Sequence, residues 1–317
     1  MRIAYWAGIP LARQLITASL QSVEGADVLV VDTLPALLDA LPEVDALVLS
    51  DCPVSEAVEI GRRLRSPDNR VRWMHFITAG REKFLKAGIP SGIRVTDPDG
   101  AIAPTVAEHA LALLLALGRQ LPACAASTGR GEWDRSMAVR ARSIEGQSLL
   151  VVGYGHVGRQ VARRAAAFGA RITVVTRTPR HDDVASDIRP LSALEEALST
   201  ADAIVVTIAL TEQTRHLIGA RLFAAVKSGA LLVNVARGDV IDQSALAAAL
   251  HAGRIAAAGL DVTEPEPLPT GDPLWGAPNL LVSGHFAGAG SAPSVERLAQ
   301  GVVAHAARFV ASSGSEV

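Results

Sequence analysis

Leu149-Leu150-Val151-Val152-Gly153-Tyr154-Gly155-His156-Val157-Gly158 reads as a buried strand running straight into a glycine turn. A helical pattern follows over Arg159–Phe168, Gly169 lies just past its end, and Ile172–Val175 reads as a second strand. Strand, Gly-x-Gly-x-x-Gly, helix and strand in this order form the unit that binds dinucleotides. Its first glycine permits the tight turn, its second lets backbone approach a pyrophosphate, and its third lets helix and strand pack closely. The helix N-terminus then offers unpaired N–H groups and a partial positive charge to the phosphates. A glycine triplet alone would fit a ligand-free turn equally well; the strand before it and the helix and strand after it favour the dinucleotide, with Gly153, Gly155, His156, Val157 and Gly158 as contacts.

Where the second strand ends, an NAD site carries an acid for the ribose 2′-hydroxyl. This chain has Thr176-Arg177-Thr178-Pro179-Arg180, with Arg177 placed 19 residues past Gly158 (177 − 158) and no acid before Asp182. A guanidinium binds a 2′-phosphate by two parallel bonds, whereas a carboxylate repels it. Thr176, Arg177 and Thr178 are therefore expected at the ribose, and NADP as the cofactor ahead of NAD. The plainer reading of Arg177 and Arg180 is a pair of solvated loop charges.

Outward from this unit, apolar β-type runs alternate with helical stretches. Val28–Val31, Ala46–Leu49 and Val71–Ile77 read as strands, with Pro10–Leu20 and Ser55–Leu64 as helices between or before them. After Leu149–Val152 and Ile172–Val175 come Ala203–Ile208, Leu231–Val235, Ala257–Leu260 and Leu280–Val282, with a helix over Ser244–His251. The alternation predicts α/β architecture with parallel sheets and crossover helices. Between the two series lies Ala103–Gln120, apolar almost all round, which suits a core helix or a helix against a second subunit equally. Ser294–Phe309 reads as a last helix and Ser312–Val317 as a polar tail.

The 317 residues suit about two domains. A net charge of −2 offers no field for nucleic acid or an anionic membrane. Two cysteines, Cys52 and Cys124, argue against a disulfide framework and suit a reducing cytoplasm. Met1–Trp6 reads as a strand rather than a signal peptide, and the longest apolar run, Ala110–Leu117, is too short to span a membrane. No Cys/His grouping has metal-ligand spacing, so no metal is expected.

Three segments at strand ends carry reactive groups: Val233-Asn234-Val235-Ala236-Arg237-Gly238, Leu260-Asp261-Val262-Thr263-Glu264-Pro265-Glu266-Pro267 and Ser283-Gly284-His285. Ligands of open parallel sheets sit beyond the carboxyl ends of the strands. An arginine there can hold a carboxylate, a histidine can shuttle a proton near neutrality, and a carboxylate beside it favours the protonated ring. Singly, Arg237 could cap a turn, Glu264 and Glu266 could be solvated acids, and His285 an ordinary loop histidine. His109 and His251 fall within helices and have weaker claims.

With these segments in view, the chain resembles the D-isomer-specific 2-hydroxyacid dehydrogenases from about Val71 to Gly288. Further marks are Val106-Ala107-Glu108-His109, Gly131-Glu132-Trp133, Leu210-Thr211-Glu212-Gln213-Thr214-Arg215-His216-Leu217-Ile218 and Pro273-Leu274-Trp275. The resemblance implies Arg237 on the substrate carboxylate and oxo oxygen, His285 as general acid/base and Glu266 as its partner, with Glu264 a neighbour. It implies Thr105, Ala236 and Asp261 at the cofactor, Asp261 at the nicotinamide carboxamide, and the amides of Ala79 and Gly80 as a second carboxylate clamp. It also implies two Rossmann-like or flavodoxin-like parallel-sheet domains with a cleft between them. The nucleotide domain, 99–285, is inserted into a substrate domain of 1–98 and 286–317, in a homodimer built on the long helix. The expected activity is NADPH- or NADH-dependent reduction of a small 2-oxo acid such as glyoxylate or hydroxypyruvate. Alternatives on the same fold are a phosphoglycerate dehydrogenase-like or phosphite-type enzyme, and a dinucleotide-sensing binding protein. Three departures stand out: Gly284 where the family has Pro before the histidine, Ala209 where it has Pro in the Leu-Pro-Leu-Thr motif, and His156 where it has Arg in the glycine turn.

Overall fold

The structure, a computed structural model, describes residues 1–6, 10–78 and 80–313, and of residues 10, 11 and 313 the backbone alone. Ala79 and the polar tail from residue 314 lie outside the described residues. The chain divides into two compact units, Met1–Ile102 with Ser291–Val317, and Ala103–Gly290.

The first unit runs β1 (Arg2–Trp6), α1 (Pro10–Gln21), β2 (Asp27–Val31), α2 (Leu34–Ala40), β3 (Ala46–Leu49), α3 (Val54–Leu64), β4 (Trp73–Phe76), α4 (Glu82–Ala87) and β5 (Arg94–Thr96). Its strands pair in parallel in the order β2-β1-β3-β4-β5, the flavodoxin-like arrangement. Every residue of β3 is apolar because both faces of the sheet are covered. Leu47 and Leu49 pack with Leu37 of α2 and Ile60 and Leu64 of α3. Ala46 and Val48 face the other way, with Ile16 and Leu20 of α1 and Val302 and Ala306 of the C-terminal helix. That helix spans Ala292–Ser313, longer than the Ser294–Phe309 read from the sequence.

The second unit runs α5 (Ala103–Gly118), α6 (Leu121–Gly129), β6 (Ser148–Val152), α7 (His156–Ala167), β7 (Arg171–Thr176), β8 (Asp187–Pro190), α8 (Leu194–Thr200), β9 (Ala203–Val206), α9 (Ala220–Ala225), β10 (Ala230–Asn234), α10 (Gln243–His251), β11 (Ile255–Leu260) and β12 (Leu280–Val282). Its seven strands are parallel, in the order β12-β11-β10-β9-β6-β7-β8. The order reverses between β6 and β9, where successive crossovers leave to opposite sides and open a crevice at the strand ends. One face is covered by α8, α9 and α10 through Leu198, Phe223, Leu246 and Leu250. On the other, α5 packs on α7, β10 and β11.

The unit itself accounts for much of the apolar circumference of α5, whose buried residues include Leu111, Leu113, Leu114 and Leu117. The helix stops at Gly118 rather than Gln120, because Gln120 turns left-handed (φ 59°) and the chain restarts as α6 with a proline in its first turn. At the other helix, α7 begins at His156 rather than Arg159, since Gly155 itself is the N-cap and the second half of the glycine turn, His156 to Gly158, is already helical. Asp242 caps α10, its Oδ1 accepting from Ala245 N at 3.0 Å. Among the described residues no single helix is long and apolar enough to cross a membrane.

Candidate active site

The glycine turn at the end of β6 separates two roles that the spacing alone does not. A Cβ on Gly158 would lie 2.2 Å from the Gly153 carbonyl oxygen and 2.9 Å from Thr207 Oγ1, so this glycine is demanded by the chain's own packing. A Cβ on Gly155 would meet nothing within 4 Å. Among the described residues nothing requires Gly155 to be glycine, and no side-chain hydrogen bond caps α7 there. The open space and the unpaired first-turn N–H groups of His156, Val157 and Gly158 fit a pyrophosphate. Thr207 pins the turn from β9, donating to Gly153 O at 2.8 Å.

At the end of β7, Thr176 is half-buried and Arg177, Thr178 and Arg180 are exposed. Asp182, the nearest following acid, turns back on its own loop, with Oδ1 accepting from Val184 N at 2.8 Å. That backbone bond holds its carboxyl below the usual range. Thr105 stands half-buried on the first turn of α5.

The other three segments leave the neighbouring strands β10, β11 and β12 on the same edge. Buried Asn234 folds the first, accepting from Ala236 N at 3.0 Å and donating to Arg237 O at 2.9 Å. Gly238 then lies so close to the second that a Cβ would fall 2.1 Å from the Thr263 carbonyl carbon. Within the second segment, Glu266 accepts from Thr263 N at 3.2 Å through Oε1. Its Oε2 lies 2.7 Å from His285 Nδ1. The ring nitrogen left for a substrate is therefore Nε2. The Arg237 guanidinium donates to Ala236 O at 2.6 Å and lies close enough for its charge to act on both Glu266 and His285.

The electrostatics follow from this contact. The Glu266 hydrogen bond lifts the His285 imidazole above its ordinary value; partial burial and the Arg237 charge oppose it, and the carboxylates of Glu266 and Asp261 add to it. Burial pushes the Glu266 carboxyl up, but the His285 hydrogen bond and charge, Thr263 N–H and Arg237 together outweigh it and leave it low. Both shifts favour the charged forms, imidazolium and carboxylate, beside a guanidinium and at half-exposed positions.

Glu264 goes elsewhere. Its carboxylate meets His216 Nε2 at 3.1 Å and Arg215 at 3.4 Å, and its backbone bonds Gln243 at both ends. It ties down the Leu210–Ile218 segment, where Thr214 Oγ1 also donates to Ala209 O at 2.8 Å at the site of the missing proline. Asp261, expected at the carboxamide, is 2% exposed. Its Oδ1 accepts from Ser283 Oγ (2.7 Å) and Phe286 N (3.0 Å), and its Oδ2 from Ala287 N (3.1 Å). Ala236 is buried beside Arg237. Gly80 belongs to the first unit, after β4, where its carbonyl accepts from Thr78 Oγ1 at 3.1 Å; Ala79, its partner in the expected clamp, lies outside the described residues. Gly284 adopts φ +70°, which proline cannot, so the histidine loop is not a proline-type loop with one residue changed.

Sequence reasoning passed over Asn234, Thr207, Ser283 and His109. The first and third lie inside quoted segments, and a buried polar side chain next to a reactive residue was the available signal. His109 lies within a helical stretch of sequence that gives no sign of a site, yet its Nε2 sits 2.8 Å from Ser283 Oγ.

The chain is similar to proteins of one family. Residues 111–287 match the family described as D-isomer specific 2-hydroxyacid dehydrogenase, NAD binding domain. The chain is 33% identical over 267 residues to a hydroxypyruvate reductase of Thermotoga maritima, covering 83% of each. It is 36% identical over 262 residues to a glyoxylate reductase of Korarchaeum cryptofilum, covering 80% of this chain and 76% of that protein. Among solved structures, a D-isomer specific 2-hydroxyacid dehydrogenase from Xanthobacter autotrophicus Py2 in complex with NADPH and MES superposes with a TM-score of 0.78. That structure is 27% identical and covers 98% of this chain and 95% of its own.

The two glycines are predicted to separate on substitution. Gly158→Ala overpacks the turn at a cost of about 1–3 kcal/mol, seen as a lower melting temperature of the free protein. Gly155→Ala is predicted to melt like the parent yet lose dinucleotide binding in a fluorescence titration; unchanged binding would remove Gly155 from the phosphate site.

Proposed function

The chain belongs to the D-isomer-specific 2-hydroxyacid dehydrogenases, and we propose that it reduces a small 2-oxo acid, glyoxylate or hydroxypyruvate, to the D-2-hydroxy acid with NADPH in preference to NADH. The observation that carries this reading is the His285–Glu266 contact beside Arg237 at adjoining strand ends. The printed activities of the Thermotoga and Korarchaeum relatives support the substrate class.

The bound dinucleotide supplies the hydride. Arg237 holds the substrate carboxylate and offsets the negative charge that develops on the oxo oxygen, an interaction strongest where charge is greatest. Protonated His285 donates from Nε2 to that oxygen, and Glu266 on Nδ1 stabilises the imidazolium and fixes the ring. For oxidation of the hydroxy acid the neutral ring takes the proton back. At the turn, the amides of His156, Val157 and Gly158 hold the pyrophosphate, with Thr105, Thr176 and Ala236 as further contacts. The preference for NADPH rests on the exposed Arg177 and Arg180, and on Asp182 being bonded into its own loop. The reading extends to a homodimer. Trp133 is 93% exposed and Val139 91%, with Leu121 of α6 also exposed, so this region presents apolar side chains that a second copy would cover.

Three outcomes are predicted. Reduction should be fastest below the raised His285 pKa and fall as pH passes it, with oxidation rising over the same window. Glu266→Gln replaces the carboxylate that lifts this pKa with a neutral amide and should move the fall to lower pH, while His285→Ala should cost about 10²–10⁴-fold in turnover with dinucleotide affinity retained. A His285→Ala variant whose turnover and pH profile match the parent's would dismiss His285 as the acid. Arg177→Asp removes charge-assisted bonds worth about 1.5–3 kcal/mol, so the NADPH/NADH ratio of kcat/KM should drop by roughly 10- to 100-fold; a ratio that stays put contradicts the NADPH preference. Finally, sedimentation should show a dimer that Trp133→Asp weakens, and a parent protein that sediments as a monomer would end the dimer reading.

A further inference from the structure

The loop that presents His285 is held in an unfavourable backbone conformation. Gly284 and His285 both have positive φ, +70° and 59°. The left-handed region suits glycine and penalises histidine through its Cβ. Such a conformation persists only where surrounding contacts impose it. Here the contacts can be followed atom by atom. His285 N donates to Asp261 O at 2.6 Å. The Asp261 carboxylate gathers the next two amides, Phe286 N on Oδ1 and Ala287 N on Oδ2, together with the Ser283 hydroxyl on Oδ1.

The direction of the last link is fixed by proton counting. A carboxylate only accepts, so the single hydroxyl proton of Ser283 goes to Asp261. Ser283 Oγ must then accept from His109 Nε2 at 2.8 Å, which makes His109 the donor at the head of a three-residue chain. The His109 ring also meets the Phe286 ring edge-on, with centroids 5.0 Å apart. His109 belongs to α5, which packs on β10, β11 and α7, so the chain of bonds anchors a loop to the unit's core.

We propose that His109 is a positioning residue which, through Ser283 and Asp261, clamps the left-handed turn at Gly284-His285 and so keeps the His285 ring on Glu266. The anchor does the work that a rigid proline would do at position 284, and Gly284 is free to take a φ that proline cannot. This rests on the reading of His285 as the acid/base, so its test includes a measurement that needs no substrate.

That measurement is the titration of the His285 imidazole by NMR in the full-length protein, alongside turnover of hydroxypyruvate with NADPH. Charged groups acting on His285 are Glu266, Arg237 and Asp261, and none is altered by the variants. Ser283→Ala and His109→Phe should lower kcat by about 10- to 100-fold, leave dinucleotide affinity in place and bring the His285 titration down towards an ordinary imidazole. Ser283→Thr keeps the hydroxyl, and His109→Gln can supply an N–H donor; both should stay near the parent. The proposal is overturned if Ser283→Ala and His109→Phe keep the parent's kcat and titration, or if His109→Gln is as impaired as His109→Phe. Should His109→Phe fail to fold, Ser283→Ala, which removes a single oxygen, decides. Absence of turnover with any 2-oxo acid would sink the proposed function and leave the titration to judge the anchor by itself.

Discussion

A parallel sheet whose two faces are both covered by helices has one edge where every strand ends, and the candidate site of the second unit lies along that edge. Parallel pairing forbids tight hairpins, so each strand of the second unit returns through a crossover and begins again at the far side. The loops after β6, β7, β10, β11 and β12 therefore emerge together, although they are separated by up to 130 residues of chain. The crevice at the β6–β9 reversal receives the glycine turn, and the three strands beyond it supply Arg237, Glu266 and His285. Each of these groups stands at a carboxyl end, and local hydrogen bonds then set its direction.

Within that edge, charge rather than apolar contact decides the arrangement. Asp261 is almost fully buried, and three donors from the loop after β12 surround its carboxylate. This is how a buried charge is tolerated, and it holds β11 and β12 in step beyond the end of their pairing. Glu266 does the same for the His285 ring and leaves it more basic than a free imidazole. Glu264, two residues away, points to Arg215 and His216 and serves the structure of a different segment. Two acids in one proline-rich loop thus take different roles, one on Arg215 and His216 and the other on His285.

The sheets and the glycine turn were legible because each central strand is a continuous apolar run; Leu149–Val152 and Ala46–Leu49 needed no context. Short or polar elements were not. β5 is three residues with a charged end, β8 contains Asp187 and Arg189, and α2, α4, α8 and α9 are too short for helical periodicity to show. The start of α7 was misjudged because glycine spacing marks a turn and conceals that Gly158 is already helical. In the site, Arg237, Glu266 and His285 could be found by residue type and motif. Ser283, Asn234 and above all His109 could not, since their meaning lies in hydrogen bonds that bridge distant segments; His109 and Ser283 are 174 positions apart.

The central claim is that a hydride passes to the C2 of a 2-oxo acid on one face while His285 protonates the oxygen. It is tested most directly by reducing hydroxypyruvate with NADPH deuterated at both C4 positions of the nicotinamide and resolving the product on a chiral column coupled to mass spectrometry. The account predicts D-glycerate carrying one deuterium on C2. L-glycerate, a racemate, or product without deuterium would contradict it.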